Sequence, residues 1–223
     1  MSVRIKVCCI ESGAEAAAAV RLGASALGLV SEMPSGPGVI GEDAIAAIAA
    51  TVPPFVTTVL LTSRTDVDGI VRQQQRCGVN AIQLCVPLDN ADHRDNAGYL
   101  ALRERLPGIS IVRVVHVDGE AAVDEALAIG DTVDGLLLDT GVREGPGRQL
   151  GGTGRTHDWS LSARIVARAA VPVFLAGGLR PDNVREAIRS VAPFGVDVCS
   201  GIRRDGRLDE ATLADFVAAA RSA

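Results

Sequence analysis

Two side chains that could transfer protons close apolar, strand-like runs of the sequence: Cys8 and Asp139. A thiol acts as a base when its neighbours lower its pKa, because the thiolate is the reactive form. An acid that closes an apolar strand must lie at a cavity mouth or be paired, which makes Asp139 a candidate general acid. Each has an ordinary alternative, since most cysteines are inert and many aspartates only cap loops. As a pair they indicate acid–base chemistry.

Two glycine-containing loops further along the chain could bind an anion. One contains Gly177 and Gly178, and the other contains Ser200 and Gly201. Glycine lets backbone N–H groups approach an anion closely, and a helix N-terminus adds a favourable dipole. The alternative is that these glycines only form tight turns. Their occurrence in two successive loops favours a phosphate-binding site.

A third glycine-rich stretch, residues 141–154, is expected to be a long loop before a helix. Gly152 and Gly154 are added to the expected phosphate-binding residues. The stretch lacks the GK[ST] ending of a nucleotide-binding loop. His157 lies near the only tryptophan and is expected to pack or to form hydrogen bonds. The other two histidines show no metal-ligand spacing, so we expect neither a metal nor a cofactor.

Strands and helices alternate through the whole chain. The runs that predict strands are Arg4–Cys9, Ala26–Val30, Phe55–Leu61, Ala81–Cys85, Ile109–Val115, Gly135–Asp139, Val171–Ala176 and Gly195–Cys199. The segments with helical spacing are Glu15–Leu22, Asp43–Ala50, Val67–Cys77, Tyr99–Leu106, Glu120–Ala128, Leu161–Ala169, Pro181–Ser190 and Glu210–Ala220. Such alternation predicts parallel strands. Eight repeats in 223 residues favour an α/β protein, a (β/α)8 TIM barrel forming one domain over residues 1–223.

A barrel of this kind carries its site on the loops at the carboxyl ends of the strands. The two candidate loops then follow strands 7 and 8, a recurring phosphate site of such barrels. Side chains along a strand alternate between its faces, so Cys8 and Cys9 cannot both face the barrel axis. The face expected to point inward holds Arg4, Lys6 and Cys8. The face expected to meet the helices holds Ile5, Val7 and Cys9.

Composition limits the possible partners. Apolar residues make up 48% of the chain, enough for a large core, and the net charge of −5 argues against a nucleic-acid partner. Five cysteines without a CxxC pair indicate a reducing, cytoplasmic location. Neither a signal-peptide pattern nor a run of ~18 apolar residues is present, so no membrane partner is expected. The two glycine loops predict a small, phosphate-bearing molecule as the partner, bound by a monomer or a homodimer.

A series of motifs runs in order through nearly the whole chain. It comprises Lys6-Val7-Cys8, Gly23-Ala24, Pro53-Pro54-Phe55-Val56, Gln83-Leu84, Leu137-Leu138-Asp139, Gly151-Gly152-Thr153-Gly154-Arg155-Thr156, Ala176-Gly177-Gly178-Leu179 and Cys199-Ser200-Gly201. The series resembles the phosphoribosylanthranilate isomerase family of tryptophan biosynthesis. The resemblance implies an Amadori rearrangement of an aminoaldose phosphate to an aminoketose phosphate. It also implies Cys8 as general base, Asp139 as general acid, and a phosphate held by the loops after strands 7 and 8.

The chain departs from the family at the aromatic end of the expected pocket. In the family, an arginine after strand 2 holds the anthranilate carboxylate, whereas residues 35–40 here include no basic residue. Cys9, Cys85 and Arg203 stand where the family motifs have glycine, histidine and glutamate. An arginine–carboxylate contact is strong and specific, so its absence indicates an altered substrate preference.

Three functions therefore stay open. The first is the phosphoribosylanthranilate isomerase reaction or a close Amadori rearrangement. The second is an isomerase or lyase that acts on another phosphosugar, one without the anthranilate carboxylate. The third is a non-catalytic barrel that binds a phosphate ligand.

Overall fold

The computed structural model describes residues 3–89, 96–141 and 156–223. Within these ranges, eight parallel strands close into a barrel in the order β1 to β8, with β1 paired to β8. The strands are β1 Arg4–Val7, β2 Ala26–Val30, β3 Thr57–Thr62, β4 Ala81–Leu84, β5 Ser110–His116, β6 Gly135–Asp139, β7 Val173–Leu175 and β8 Gly195–Val198. The (β/α)8 barrel predicted from the sequence is confirmed.

A helix follows each strand along the chain. The helices are α1 Gly13–Leu22, α2 Glu42–Ala49, α3 Val67–Cys77, α4 Ala97–Arg105, α5 Ala121–Gly130, α6 Trp159–Arg168, α7 Val184–Val191 and α8 Glu210–Arg221. A short 3₁₀ turn, Ser200–Ile202, and a small antiparallel hairpin separate β8 from α8. In the described ranges, none of the helices is both long enough and apolar enough to cross a membrane.

The strands are apolar on both faces because the helices cover the outer face and side chains of the other strands cover the inner face. Outward side chains such as Leu27, Leu60 and Ile82 belong to the large cluster shared with the helices. Inward side chains such as Val59 and Leu137 form a separate, smaller cluster that contains no helix residue. This two-sided burial explains why the strands read as continuous apolar runs.

Several element ends differ from the sequence prediction. The helix predicted from Pro181 begins only at Val184, because residues 181–183 form a turn that Asn183 stabilises. Its side-chain oxygen accepts from Arg180 N at 2.8 Å, and its amide donates to Gly178 O at 3.0 Å. The strand predicted from Phe55 begins at Thr57, since Phe55 has a φ of 70° and its side chain is fully exposed.

Candidate active site

A cavity that is partly open to solvent lies at the carboxyl ends of the strands. Cys8 after β1 and Asp139 at the end of β6 both line it. Gly177 and Gly178 after β7, and Ser200 after β8, line it as well. The structure therefore brings both proton-transfer candidates and both glycine loops to one cavity. This is the place where barrel enzymes carry their sites.

Gly201, Gly152 and Gly154 were also expected to bind the phosphate, but the structure does not place them in the wall of this cavity. Gly201 is not among the residues that line the cavity, because it packs under the β7 loop, where a Cβ would overlap the carbonyl oxygen of Leu179. A glycine at this position permits the close approach of the loops after β7 and β8, and its assignment to the phosphate stays a prediction. Gly152 and Gly154 lie outside the described residues, so their assignment stays a prediction.

The two glycines after β7 are required by backbone geometry. Gly177 and Gly178 have φ values of 84° and 62°, which glycine adopts without a steric penalty. A Cβ at Gly177 would also overlap Thr140 Oγ1, so this loop packs directly against the residue that follows Asp139. The loop after β7 and the candidate acid therefore lie next to each other.

A buried ion pair lies beside the Cys8 thiol. Lys6 Nζ donates to Asp197 Oδ1 at 2.9 Å, and both side chains are at most one-tenth exposed. A Cβ at Gly28 would stand 2.7 Å from Cys8 Sγ and 3.2 Å from Lys6 Nζ, so the thiol and the ammonium group flank the same point. Hydrogen bonding with Cys9 and the charge of Lys6 lower the pKa of Cys8, although burial opposes them. The thiolate is thereby favoured.

The pKa of Asp139 is shifted in the opposite direction. Burial raises its pKa to about 7, and the nearby carboxylate of Asp197 adds to the rise. The Thr140 N–H donates to Asp139 Oδ1 at 2.7 Å and, together with the charge of Lys6, moderates it. A carboxyl group with this pKa carries a proton for a large part of the time near neutrality, as a general acid must.

His157 fixes the segment next to Asp139. Its Nδ1 lies 3.0 Å from Thr140 Oγ1 and its Nε2 lies 2.6 Å from Ser162 Oγ. The expected hydrogen-bonding role is confirmed, and burial lowers the pKa of His157 to about 4. The imidazole is therefore neutral at physiological pH and links α6 to the end of β6.

The predicted orientation of Cys9 is wrong. Strand β1 ends at Val7, and Cys9 has a φ of 62°, so the alternation of faces stops before this residue. Its side chain consequently lines the same cavity as Cys8, in the inner apolar cluster. The available signal was the glycine that the resembled family carries at this position, because glycine marks positive φ. Cys85 and Cys199 line the cavity as well.

The Lys6–Asp197 pair was missed by sequence reasoning. Lys6 was expected to face inward, but its partner is 191 residues away. Closure of the barrel makes the first and last strands neighbours, in a register that sets Lys6 opposite Asp197. The sequence could have predicted this ion pair, because the first and last predicted strands carry opposite charges at matched positions. In the three described ranges, no three His, Cys, Asp or Glu side chains are arranged to hold a metal ion.

A closed (β/α)8 barrel whose mouth joins a thiol, a carboxyl of raised pKa and two glycine loops is the architecture of an acid–base barrel enzyme. Comparison with known proteins defines the family more narrowly. The family described as N-(5′phosphoribosyl)anthranilate (PRA) isomerase matches residues 5–219, and the chain belongs to it. Enzymes of this family are aldose–ketose isomerases, that is intramolecular oxidoreductases, of tryptophan biosynthesis.

Individual relatives agree with this assignment over nearly their whole length. An N-(5′-phosphoribosyl)anthranilate isomerase of Halobacterium salinarum is 37% identical over 219 residues, covering 97% of this chain and 95% of the relative. The crystal structure of the Thermotoga maritima enzyme matches with a TM-score of 0.82 and 31% identity, covering 99% and 100% of the two chains. Another solved isomerase, with a TM-score of 0.80, 29% identity and the same coverage, holds reduced 1-(o-carboxyphenylamino)-1-deoxyribulose 5-phosphate.

Proposed function

We propose that this chain catalyses the Amadori rearrangement of phosphoribosylanthranilate, with Cys8 as general base and Asp139 as general acid. The observation that carries the proposal is the cavity shared by the two groups. Their pKa values are shifted in opposite directions, so that the thiol tends to ionise and the carboxyl group tends to keep its proton. Groups separated in this way can act as base and acid at the same pH.

The order of bond changes follows from these roles. Asp139 donates its proton to the ring oxygen of the ribose as the C1′–O bond breaks, and the nitrogen lone pair forms a Schiff base at C1′. The Cys8 thiolate then removes the proton from C2′, and the electron pair of that C–H bond forms the enolamine. Tautomerisation of the enolamine gives the aminoketose. Each positioned group typically contributes ~10²–10⁴-fold to such a reaction.

The phosphate is assigned to the loops after β7 and β8. Gly177 and Gly178 precede the N-terminal end of α7, and Ser200 begins the turn after β8. Backbone N–H groups in glycine loops and at helix N-termini favour anions. Anchoring the phosphate there places the sugar over the centre of the barrel, between Cys8 and Asp139. Gly152 and Gly154 are assigned to the same phosphate group.

Turnover of phosphoribosylanthranilate tests the proposal directly, because the reaction abolishes the fluorescence of the substrate. Cys8→Ser and Asp139→Asn should each lower kcat by ~10²-fold or more. Cys77→Ser is the matched thiol control, since Cys77 lies in α3 and not in the cavity. Asp158→Asn is the carboxyl control, at the N-cap of α6. Full activity in both cavity variants would reject the assigned roles.

A second candidate is an Amadori-type isomerase for an aminosugar phosphate without an aryl carboxylate. The observation in its favour is that Ser35, Gly36 and Pro37 line the cavity at the loop after β2, which contributes no cation there. A panel of aminosugar phosphates assayed beside phosphoribosylanthranilate separates the two functions. The better substrate, by kcat/KM, identifies the reaction.

A further inference from the structure

A second cavity adjoins the catalytic cavity. The two share Met33 and Ser35, which follow β2. Ser63, Arg64 and Thr65 after β3 form another wall of the second cavity. Among the described residues that line either cavity, Arg64 is the only cation.

The position of Arg64 is fixed by the neighbouring loops. Ser63 Oγ donates to Glu32 O at 2.9 Å, which ties the segment after β3 to the segment after β2. The Arg64 N–H donates to Thr62 Oγ1 at 3.1 Å at the end of the strand. Arg64 is thus held next to the residues that separate the two cavities.

The guanidinium group of Arg64 is only loosely engaged. Its nearest ion-pair partner is Glu42, at 3.7 Å, a separation longer than a hydrogen bond. Glu42 also accepts from Gln73 at 3.0 Å and lies 3.7 Å from Arg76. With 44% of its side chain exposed, Arg64 gains little from this pair and can exchange it for another carboxylate. Exposed Glu32 also borders the cavity.

The barrel sets Arg64 opposite the phosphate loops. In the closed order β1 to β8, strand β3 lies across the barrel from β7, and β4 lies across from β8. A substrate whose phosphate rests on the loops after β7 and β8 extends its other end toward the loops after β3 and β4. The apolar side chains of Val30, Met33 and Leu61 line the path between them.

We propose that Arg64 binds the carboxylate of the substrate's carboxyphenyl group and so replaces the basic residue that the loop after β2 lacks. This inference rests on the proposed function, which supplies a ligand with an aryl carboxylate. The ring lies on Met33 and Leu61, and the guanidinium group offers two parallel N–H donors to the carboxylate oxygens. Arg64 is then a specificity-determining residue that contacts substrate and takes no part in proton transfer.

Binding of two ligands to the wild-type protein and to an Arg64→Gln variant tests the inference. The first ligand is the reduced carboxyphenylamino deoxyribulose phosphate found in the related structure, and the second is the same molecule without the carboxylate. We expect Arg64→Gln to weaken the first ligand by about 10-fold or more in titration calorimetry and to leave the second unchanged. Arg64→Lys should recover only part of the loss, because a lysine cannot form the bidentate contact.

Arg76→Gln is the matched control, because Arg76 lies at the same 3.7 Å distance from Glu42 but outside both cavities. It should bind both ligands like the wild type. In turnover, Arg64→Gln should raise KM for phosphoribosylanthranilate and leave kcat within about twofold, as expected when a uniform binding contact is removed.

The outcomes distinguish this inference from the proposed function. If wild-type protein binds the carboxylated ligand without turning over phosphoribosylanthranilate, the proposed reaction fails, and the Arg64→Gln comparison still decides the role of Arg64. Equal binding of the carboxylated ligand by Arg64→Gln and wild type overturns the assignment. An equal loss in Arg76→Gln, or the absence of binding by the wild type, also overturns it.

Discussion

Lys6 Nζ donates to Asp197 Oδ1 at 2.9 Å inside the barrel, and this pair acts on both proposed proton-transfer groups, Cys8 and Asp139. The ammonium group favours the thiolate of Cys8, whereas the carboxylate of Asp197 favours the protonated form of Asp139. Of the two charges, that of Lys6 has the larger effect on the pKa of Cys8, and that of Asp197 has the larger effect on the pKa of Asp139. Closure of β1 on β8 thus brings together the two charges that shift these pKa values.

Lys6→Met should destabilise the protein strongly, because it leaves the Asp197 carboxylate buried without its partner. Breaking a buried ion pair costs about 3–5 kcal/mol of unfolding free energy, measured by urea denaturation. Adding Asp197→Leu should restore much of the loss, since the second charge is then removed too. Arg21→Met is the control for an exposed pair, Arg21–Glu210, and should cost at most about 1 kcal/mol. Equal losses in both single variants would contradict the argument.

The dependence of kcat/KM on pH should reflect two opposite requirements, a protonated carboxyl group and a deprotonated thiol. The proposed mechanism needs a proton on Asp139, so activity should fall as the pH rises through about 7, the pKa of that carboxyl group. The mechanism also needs the Cys8 thiolate, so activity should fall toward acid pH. Asp197→Asn should move the alkaline limb to lower pH, because it removes a carboxylate that raises the pKa of Asp139 and frees the charge of Lys6, which lowers it. If the alkaline limb does not move in this variant, it reports the ionisation of a group other than Asp139.

Cys9 gives a test of the backbone geometry at the end of β1. Its φ of 62° is costly for a residue with a Cβ, by roughly 1–2 kcal/mol. Cys9→Ala keeps this cost and Cys9→Gly removes it, while both lose the same buried thiol. We therefore expect the glycine variant to be more stable than the alanine variant by about 1 kcal/mol in chemical denaturation. The reverse order would show that the positive φ is not strained here.

The alternation of elements was readable from the sequence because it depends on local patterns. Apolar runs such as Ala26–Val30 and Gly135–Asp139 coincide with strands β2 and β6, and α3 spans the predicted residues Val67–Cys77. The ends of the strands were harder to predict from the sequence, because they depend on the contacts that the following loop makes. Strand β1 ends two residues early for this reason, and Cys9 enters the cavity as a result.

The composition of the site was partly predictable as well. Cys8, Asp139 and the glycines after β7 follow from residue types at strand ends, which a barrel collects at one face. The loose pairing of Arg64 and the ion pair of Lys6 depend on contacts between segments distant in sequence. A single sequence carries no measure of such contacts, so these features required the structure.

His157 should make stability depend on pH. Burial lowers its pKa from 6.5 to about 4 in the folded chain, so between these values only the unfolded state binds the proton. The free energy of unfolding should then fall as the pH decreases from 6.5 toward 4, by up to about 1 kcal/mol per pH unit. His157→Gln should flatten this part of the profile, measured by urea denaturation at several pH values. If the slope of the unfolding free energy against pH is unchanged in the variant, groups other than His157 cause the pH dependence.

Gly201→Ala should impair the proposed phosphate site without changing Cys8 or Asp139. The added Cβ would overlap the carbonyl oxygen of Leu179, so the loops after β7 and β8 must move apart. We expect inorganic phosphate to inhibit the variant about 10-fold more weakly than the wild type, because each lost hydrogen bond to a charged group costs about 1.5–3 kcal/mol. Gly13→Ala is the control, since a Cβ there meets nothing within 4 Å. Unchanged inhibition by phosphate in a folded Gly201→Ala protein would mean that the contact between these loops does not shape the anion site.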